Sequence, residues 1–228
     1  MAQDRLEPEP TRTIGDNALR QIGTVALLSV LLGFVMQGFI LAAKLAGGSA
    51  PAGVLFISDL AQGVTWSFFV CTGVSIGVFL SKARASVAGL IALASAPIAV
   101  AFAKSAQKTM NGILKVADQP AVLSLATISI LRAIEYGILG WLLAKLVQQD
   151  SLKINRYIGS GVLIGVVFGG AIVFLTYSSS VTMGTALPLP KTLGTVVNEV
   201  GSPIGCALLI YIGQWITHRH KLISEQDS

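Results

Sequence analysis

The chain has 228 residues, of which 53% are hydrophobic and only 12% are charged. Soluble globular domains usually carry about 25% charged residues, so this composition excludes an ordinary soluble enzyme or binding domain. It predicts an integral membrane protein. The net charge is +5. In a membrane protein such an excess of lysine and arginine usually lies on cytoplasmic flanks, so it does not indicate binding to nucleic acid.

Six apolar stretches, each near the roughly 20 residues that a helical crossing needs, predict an all-α integral membrane protein with about six transmembrane helices. Residues 1–19 are polar and read as a cytoplasmic N-terminal tail, residues 218–228 read as a cytoplasmic C-terminal tail, and the helical bundle occupies 20–217. The predicted spans cover residues 22–45, 54–80, 86–103, 121–147, 158–177 and 193–217.

The third apolar stretch leaves more than one topology open. In residues 104–118, which follow it, Met110, Ile113 and Leu114 fall at helical spacing opposite three lysines. This pattern is typical of a helix lying in the membrane surface, and a solvated loop helix is an equal alternative. If the third stretch is re-entrant, the chain has five crossings and its C-terminus moves outside.

The distribution of lysine and arginine predicts the orientation. With the N-terminus inside, ten of these residues flank the inner ends of the spans and five flank the outer ends, while Arg132 lies within the fourth stretch. Because basic residues concentrate on the cytoplasmic side, we expect both termini in the cytoplasm. The sequence thus predicts a multi-pass protein of the cell inner (cytoplasmic) membrane.

An internal repeat indicates that the bundle is built from helical hairpins. Residues 20–33 match residues 156–169 without a gap at six of fourteen positions, including a shared Arg–x–Ile–Gly opening. Repeats in membrane proteins commonly frame a site or pathway at their interface. A threefold version is also open, because each return helix has an acid or amide shortly before a glycine: Gln62 before Gly63, Glu135 before Gly137, and Glu199 before Gly201.

Glycines four residues apart predict tight helix packing. In lipid, small residues at this spacing let two helices approach closely. A hinge between hairpins is the functional alternative. The glycines concerned are Gly73 and Gly77, then Gly161, Gly165 and Gly169, then Gly201 and Gly205.

The candidate pathway residues are the few ionisable and amide side chains inside apolar stretches. A charge at that depth costs about 2.5–3.5 kcal/mol, so it is rarely kept without a partner or a task. Arg132 and Glu135 lie three residues apart and can pair on one helix face, as a structural pair, as a gating or proton-accepting acid, or against a partner's buried charge. Asp59 and Glu199 are expected near the outer mouth, where a helix-dipole role is the alternative. The remaining candidates are Asn198, Gln62 and Gln37.

No motif for nucleotide binding, metalloprotease or serine hydrolase chemistry is present, so we expect no catalytic residue, no metal site, no cofactor and no enzymatic activity. Cys71 and Cys206 read as small apolar residues. The leading prediction is a channel-like or transporter-like pathway for a small ion, proton or solute. Its expected partners are the lipid bilayer and either further copies of itself or other membrane subunits, with no nucleic acid. The alternative is a non-catalytic membrane-embedded subunit that docks on and stabilises a larger complex.

Overall fold

The computed structural model describes residues 10–49, 53–81, 84–117, 122–184 and 187–226, with side chains described between residues 17 and 219. Within these ranges the chain is helical and has no strand, which confirms the predicted all-α class. The elements are α1 (Pro10–Ala46), α2 (Gly53–Leu80), α3 (Ala85–Leu114), α4 (Leu125–Gln148), α5 (Ile154–Ile164), a π-helical turn (Gly165–Gly169), α6 (Gly170–Thr182) and α7 (Leu189–Gln226).

Among the described residues, five segments are long and apolar enough to cross a membrane, and together they make this a multi-pass membrane protein. Helix α4 is not one of the five, although it is long enough to cross: its 24 residues extend about 36 Å, and a hydrocarbon core is roughly 30 Å thick. The five segments are Asn17–Ala46, Gly53–Leu80, Ala85–Leu114, Ile154–Thr182 and Leu189–Arg219.

Helix α3 corrects the prediction for the third stretch. The predicted span 86–103 is too short, because α3 continues unbroken to Leu114 and includes most of the segment expected to be a separate surface or loop helix. Its distal turns pack on α2, where the Ser58 hydroxyl donates to the side chain of buried Asn111. A re-entrant third segment is inconsistent with this single long helix.

Some predicted boundaries fall outside the described residues. These are the first nine residues of the predicted N-terminal tail, the end of the predicted surface helix at 118, the predicted start of the fourth span at 121, and the last two residues of the chain. The described part of the fourth helix begins at Leu125, where the Ser124 hydroxyl accepts a hydrogen bond from the Thr127 amide and so caps the helix.

The helices form three successive hairpins: α1 with α2, α3 with α4, and α5 and α6 with α7. The three return helices, α2, α4 and α7, contact one another at the centre of the bundle. Each first helix packs between its own return helix and that of the preceding hairpin, so α3 contacts α2 and α4, and α5 contacts α4 and α7. Helix α1 contacts α2 and α7 and thereby closes the ring. The threefold hairpin repeat itself stays a prediction.

The aligned glycines of the internal repeat make equivalent contacts. A Cβ atom at Gly33 would lie 3.3 Å from the carbonyl oxygen of Gly63, and one at Gly169 would lie 2.8 Å from the carbonyl oxygen of Glu199. Both members of the second contact lie 136 positions after their counterparts in the first. The first and third hairpins therefore share one helix–helix contact at aligned positions, and the repeat stays a prediction.

The seven glycines singled out by their spacing all lie against neighbouring helices of the same chain. At each one an added Cβ atom would come within 3 Å of another helix; the nearest atoms are backbone atoms at Gly77, Gly161, Gly165 and Gly169 and side-chain atoms at Gly73, Gly201 and Gly205. Gly73 and Gly77 face Ser95 and Ala88 of α3; Gly161, Gly165 and Gly169 face Ile204, Val200 and Glu199 of α7; Gly201 and Gly205 face Met36 and Leu32 of α1.

Candidate functional site

Helices α4 and α7 each carry a buried acid at the same distance from the start of the helix. Glu135 is ten residues beyond the start of α4 at Leu125, and Glu199 is ten residues beyond the start of α7 at Leu189. At a rise of 1.5 Å per residue, each acid lies about 15 Å from the start of its helix. This depth is close to the middle of a hydrocarbon core about 30 Å thick.

Arg132 is held between these two acids. Its Nη1 donates a hydrogen bond to Glu135 Oε2 at 2.8 Å, and its Nη2 lies 2.5 Å from Glu199 Oε2. The second contact has the distance of an ion pair but not the alignment of a hydrogen bond. The three side chains are only 6%, 0% and 8% exposed. We call Arg132, Glu135 and Glu199 the ion triad.

The ion triad has more negative than positive charge. Two carboxylates and one guanidinium sum to a single negative charge when all three groups are ionised. Burial of an unbalanced charge is costly, whereas a buried pair of opposite charges offsets part of that cost. The triad can therefore accept one further positive charge, which a proton or a small cation would supply.

Two aromatic rings enclose the guanidinium. The Cζ atom of Arg132 lies 4.9 Å from the ring centroid of Trp66 on α2 and 6.0 Å from that of Tyr136 on α4. The two rings meet edge to face at a centroid distance of 5.5 Å. Cations are attracted to aromatic faces at these distances. We call the ion triad together with Trp66 and Tyr136 the central cage, to which α2, α4 and α7 each contribute.

Four polar atoms of the central cage are buried without a hydrogen-bond partner among the residues that the structure describes. They are Trp66 Nε1, Tyr136 Oη, Glu135 Oε1 and Glu199 Oε2, on side chains that are at least nine-tenths buried. Native proteins satisfy the large majority of their buried polar groups, and the exceptions commonly mark functional sites. The cage thus combines surplus charge with unused hydrogen-bonding capacity.

Asn198 supports the ion triad from the adjacent position on α7. Its Nδ2 donates to Glu199 Oε1 at 3.1 Å, and the side chain is half-buried. Since Glu199 Oε2 faces Arg132, the carboxylate is held from both sides. Of the predicted pathway residues, the structure therefore brings Arg132, Glu135, Glu199 and Asn198 together.

Glu199 lies with Arg132 and not at the outer mouth, which corrects the sequence expectation. The described α7 begins at Leu189, four residues before the predicted start at 193, so Glu199 is deeper in the bundle than the predicted boundary implied. Asp59 is separate. It lies six residues beyond the start of α2 at Gly53 and pairs with Lys44 of α1 at 3.0 Å, with the two side chains 36% and 28% exposed.

The two predicted glutamines are not members of the central cage. Gln37 of α1 is buried, and its amide packs against Gly63 of α2. Gln62 is half-buried on α2. Further buried polar side chains lie at several depths along α1, α2 and α7: Gln21, Ser29, Ser58, Ser67, Ser75, Ser202 and Gln214.

Sequence reasoning missed the aromatic members of the cage. One signal for Trp66 is its depth, because tryptophan in membrane helices prefers the interfaces, whereas Trp66 lies 13 residues beyond the start of α2 at Gly53. Tyr136 directly follows Glu135, but neighbouring helical positions do not face each other, so the spacing gave no reason to join them.

Comparisons with known proteins found no matching family model, no matching curated protein and no matching solved structure. The function is therefore inferred from the chemistry of the central cage and from the bundle that encloses it.

Proposed function

We propose that this membrane protein provides a pathway for a small ion, proton or solute along the centre of its bundle, with the ion triad as its gate. The observation that carries the proposal is the surplus carboxylate: Glu135 and Glu199 share the single guanidinium of Arg132. A purely structural ion pair needs one acid for one arginine. A second buried acid adds a desolvation cost of several kcal/mol, so its presence favours a functional role over a purely structural one.

The position of the triad supports this proposal. It lies where the three return helices meet, and repeats in transport proteins commonly place their sites at such an interface. Buried serine and glutamine side chains at other depths of α1, α2 and α7 offer polar contacts on either side of the triad.

In this pathway Glu199 exchanges partners while Glu135 keeps Arg132 neutralised. When Glu199 takes up a proton or contacts a cation, Arg132 stays neutralised by Glu135, to which it is hydrogen-bonded. When that charge leaves, Glu199 returns to Arg132. The pathway needs no catalytic step, and we propose no enzymatic activity.

The alternative role, a docking subunit in a larger complex, receives less support. It relied on the glycine faces and the buried charges as surfaces for other membrane proteins. The glycines pack against helices of their own chain, and the carboxylates of the triad pair with their own arginine. The glycine faces are therefore already used within the protein, and the buried triad presents almost no surface to another subunit.

Reconstitution into liposomes containing a pH-sensitive dye tests the proposal. Under an imposed membrane potential, the wild-type protein is expected to conduct protons or cations faster than protein-free liposomes. Glu135→Gln and Glu199→Gln should each lower the flux about tenfold, the equivalent of about 1.4 kcal/mol in a barrier. Asp150→Asn is the matched control, because it changes an exposed acid in the connection after α4.

Two results would count against the pathway. Wild-type flux equal to that of empty liposomes rejects it outright. Unchanged flux in Glu199→Gln, together with loss of a co-purifying membrane protein, would instead support the docking role.

A further inference from the structure

We propose that the central cage binds a small planar organic cation of the guanidinium class, and that the head group of Arg132 is a tethered competitor for the same site. This inference rests on the proposed function, because it names the class of solute that enters the pathway. The proposed ligand belongs to one chemical class: planar monocations that carry several N–H donors.

The way the protein holds Arg132 shows which chemistry the cage recognises. A guanidinium presents several N–H donors in one plane, which suits carboxylates, and its faces stack on aromatic rings. Both kinds of contact are present: carboxylate oxygens at 2.8 and 2.5 Å, and the Trp66 and Tyr136 ring centroids at 4.9 and 6.0 Å. A free guanidinium ion would meet the same partners.

The cage also offers a guanidinium ion acceptors that Arg132 does not use. When the Arg132 head group is displaced, the carboxylates of Glu135 and Glu199 remain and attract a monocation in its place. Glu135 Oε1 and Tyr136 Oη can accept hydrogen bonds and have no donor among the described residues. An entering cation with N–H groups would supply both the charge and the donors.

Tethering explains how Arg132 controls access. A side chain attached beside its site has a high effective concentration there, so a free ligand must compete with it. The wild-type protein should therefore bind guanidinium weakly. Removal of the Arg132 head group should strengthen binding, and the loss of one carboxylate should weaken it again.

The first test measures ligand-dependent thermal unfolding of the full chain in detergent. Guanidinium chloride at low millimolar concentration is compared with sodium chloride and tetramethylammonium chloride at equal ionic strength. In Arg132→Ala, guanidinium should raise the unfolding midpoint more than either control salt, with an apparent Kd at least about tenfold lower than in wild type. Arg132→Ala combined with Glu199→Gln should lose this preference. An equal response to all three salts, or an unchanged preference in the double variant, overturns the proposal.

A second test uses the intact arginine and covers the case in which Arg132→Ala does not fold. Uptake of radiolabelled guanidinium is measured in liposomes with wild type, Trp66→Leu and Trp141→Leu. Trp66 belongs to the cage, whereas Trp141 on α4 faces Lys145. Uptake should fall in Trp66→Leu only. If uptake is absent or both tryptophan variants behave alike, the guanidinium site is rejected.

The two proposals fail separately. Proton flux that depends on Glu135, with no guanidinium binding or uptake, rejects the organic-cation site and leaves the pathway standing. The absence of both fluxes rejects both.

Discussion

At the residue scale, removal of the guanidinium and removal of one carboxylate have different electrostatic consequences. Arg132→Leu leaves Glu135 and Glu199 buried without a counter-charge, and we expect the free energy of unfolding to fall by about 3–5 kcal/mol. Glu199→Gln leaves a neutral pair of Arg132 with Glu135, so its effect should be clearly smaller. Reversible unfolding in mixed detergent micelles measures both, and equal losses would contradict the charge balance described for the triad.

The sequence predicted one contact of the triad and not the other, for a physical reason. Arg132 and Glu135 are three residues apart on one helix, so helical geometry alone brings them together. Glu199 is 67 positions after Arg132 and reaches it only because α7 packs beside α4 at a matching depth. That depth depends on the start of α7, which lies in a polar connection where the apolar pattern carries little information.

At the element scale, α5 offers two glycines that are two residues apart and have different surroundings. A Cβ atom at Gly161 would lie 2.7 Å from the Cα atom of Ile204 on α7, whereas one at Gly159 would meet nothing within 4 Å. Gly161→Ala should therefore lower the free energy of unfolding by about 1–3 kcal/mol through overpacking. Gly159→Ala should be neutral or stabilising by up to about 1 kcal/mol, because alanine is the better helix former.

Thermal unfolding of the two variants in the same detergent gives the comparison. Similar midpoints would show that α5 does not approach α7 as closely as described. A lower midpoint for Gly161→Ala alone supports the tight seam that the glycine spacing predicts.

The ends of the helices were harder to predict than their existence. Hydropathy placed the end of the third span at 103 because lysines follow, yet α3 continues to Leu114. The apolar pattern reports which residues suit the hydrocarbon core, and a helix can extend beyond it into the headgroup region. The extension is held by a contact of Ser58 with Asn111. Because this contact joins two helices, local composition does not predict it.

At the scale of the whole molecule, the packing of the first and last helices predicts the topology of the termini. Gly47 lies against Pro190 at one end of the bundle, and Val25 lies against Gly213 towards the other, so α1 and α7 are antiparallel. The start of α1 and the end of α7 are thus at the same end. We expect reporter domains fused to either terminus to lie on the same side of the membrane.

Fusions to green fluorescent protein and alkaline phosphatase measure this directly. Fluorescence without phosphatase activity at both termini would agree with the excess of lysine and arginine expected on the cytoplasmic side. Opposite signals at the two ends would imply an odd number of crossings and would contradict the packing of α1 against α7.

Composition was sufficient for the membrane class, because the apolar content of each stretch is a local property of the sequence. The central triangle of α2, α4 and α7 was not predictable from composition. Which faces of these helices meet depends on contacts such as Arg132 with Glu199 and Trp66 with Tyr136, made between residues far apart in the chain.

The order of synthesis gives the pairing of Arg132 with Glu135 a role before the bundle exists. Arg132 and Glu135 are three positions apart and leave the ribosome almost together, whereas Glu199 is 64 positions after Glu135. At about 5–20 residues per second, Glu199 follows roughly 3 to 13 s later. Helix α4 can therefore partition into lipid with its arginine already neutralised. The excess negative charge enters only with the last hairpin, when the neighbours that shelter it are already in place.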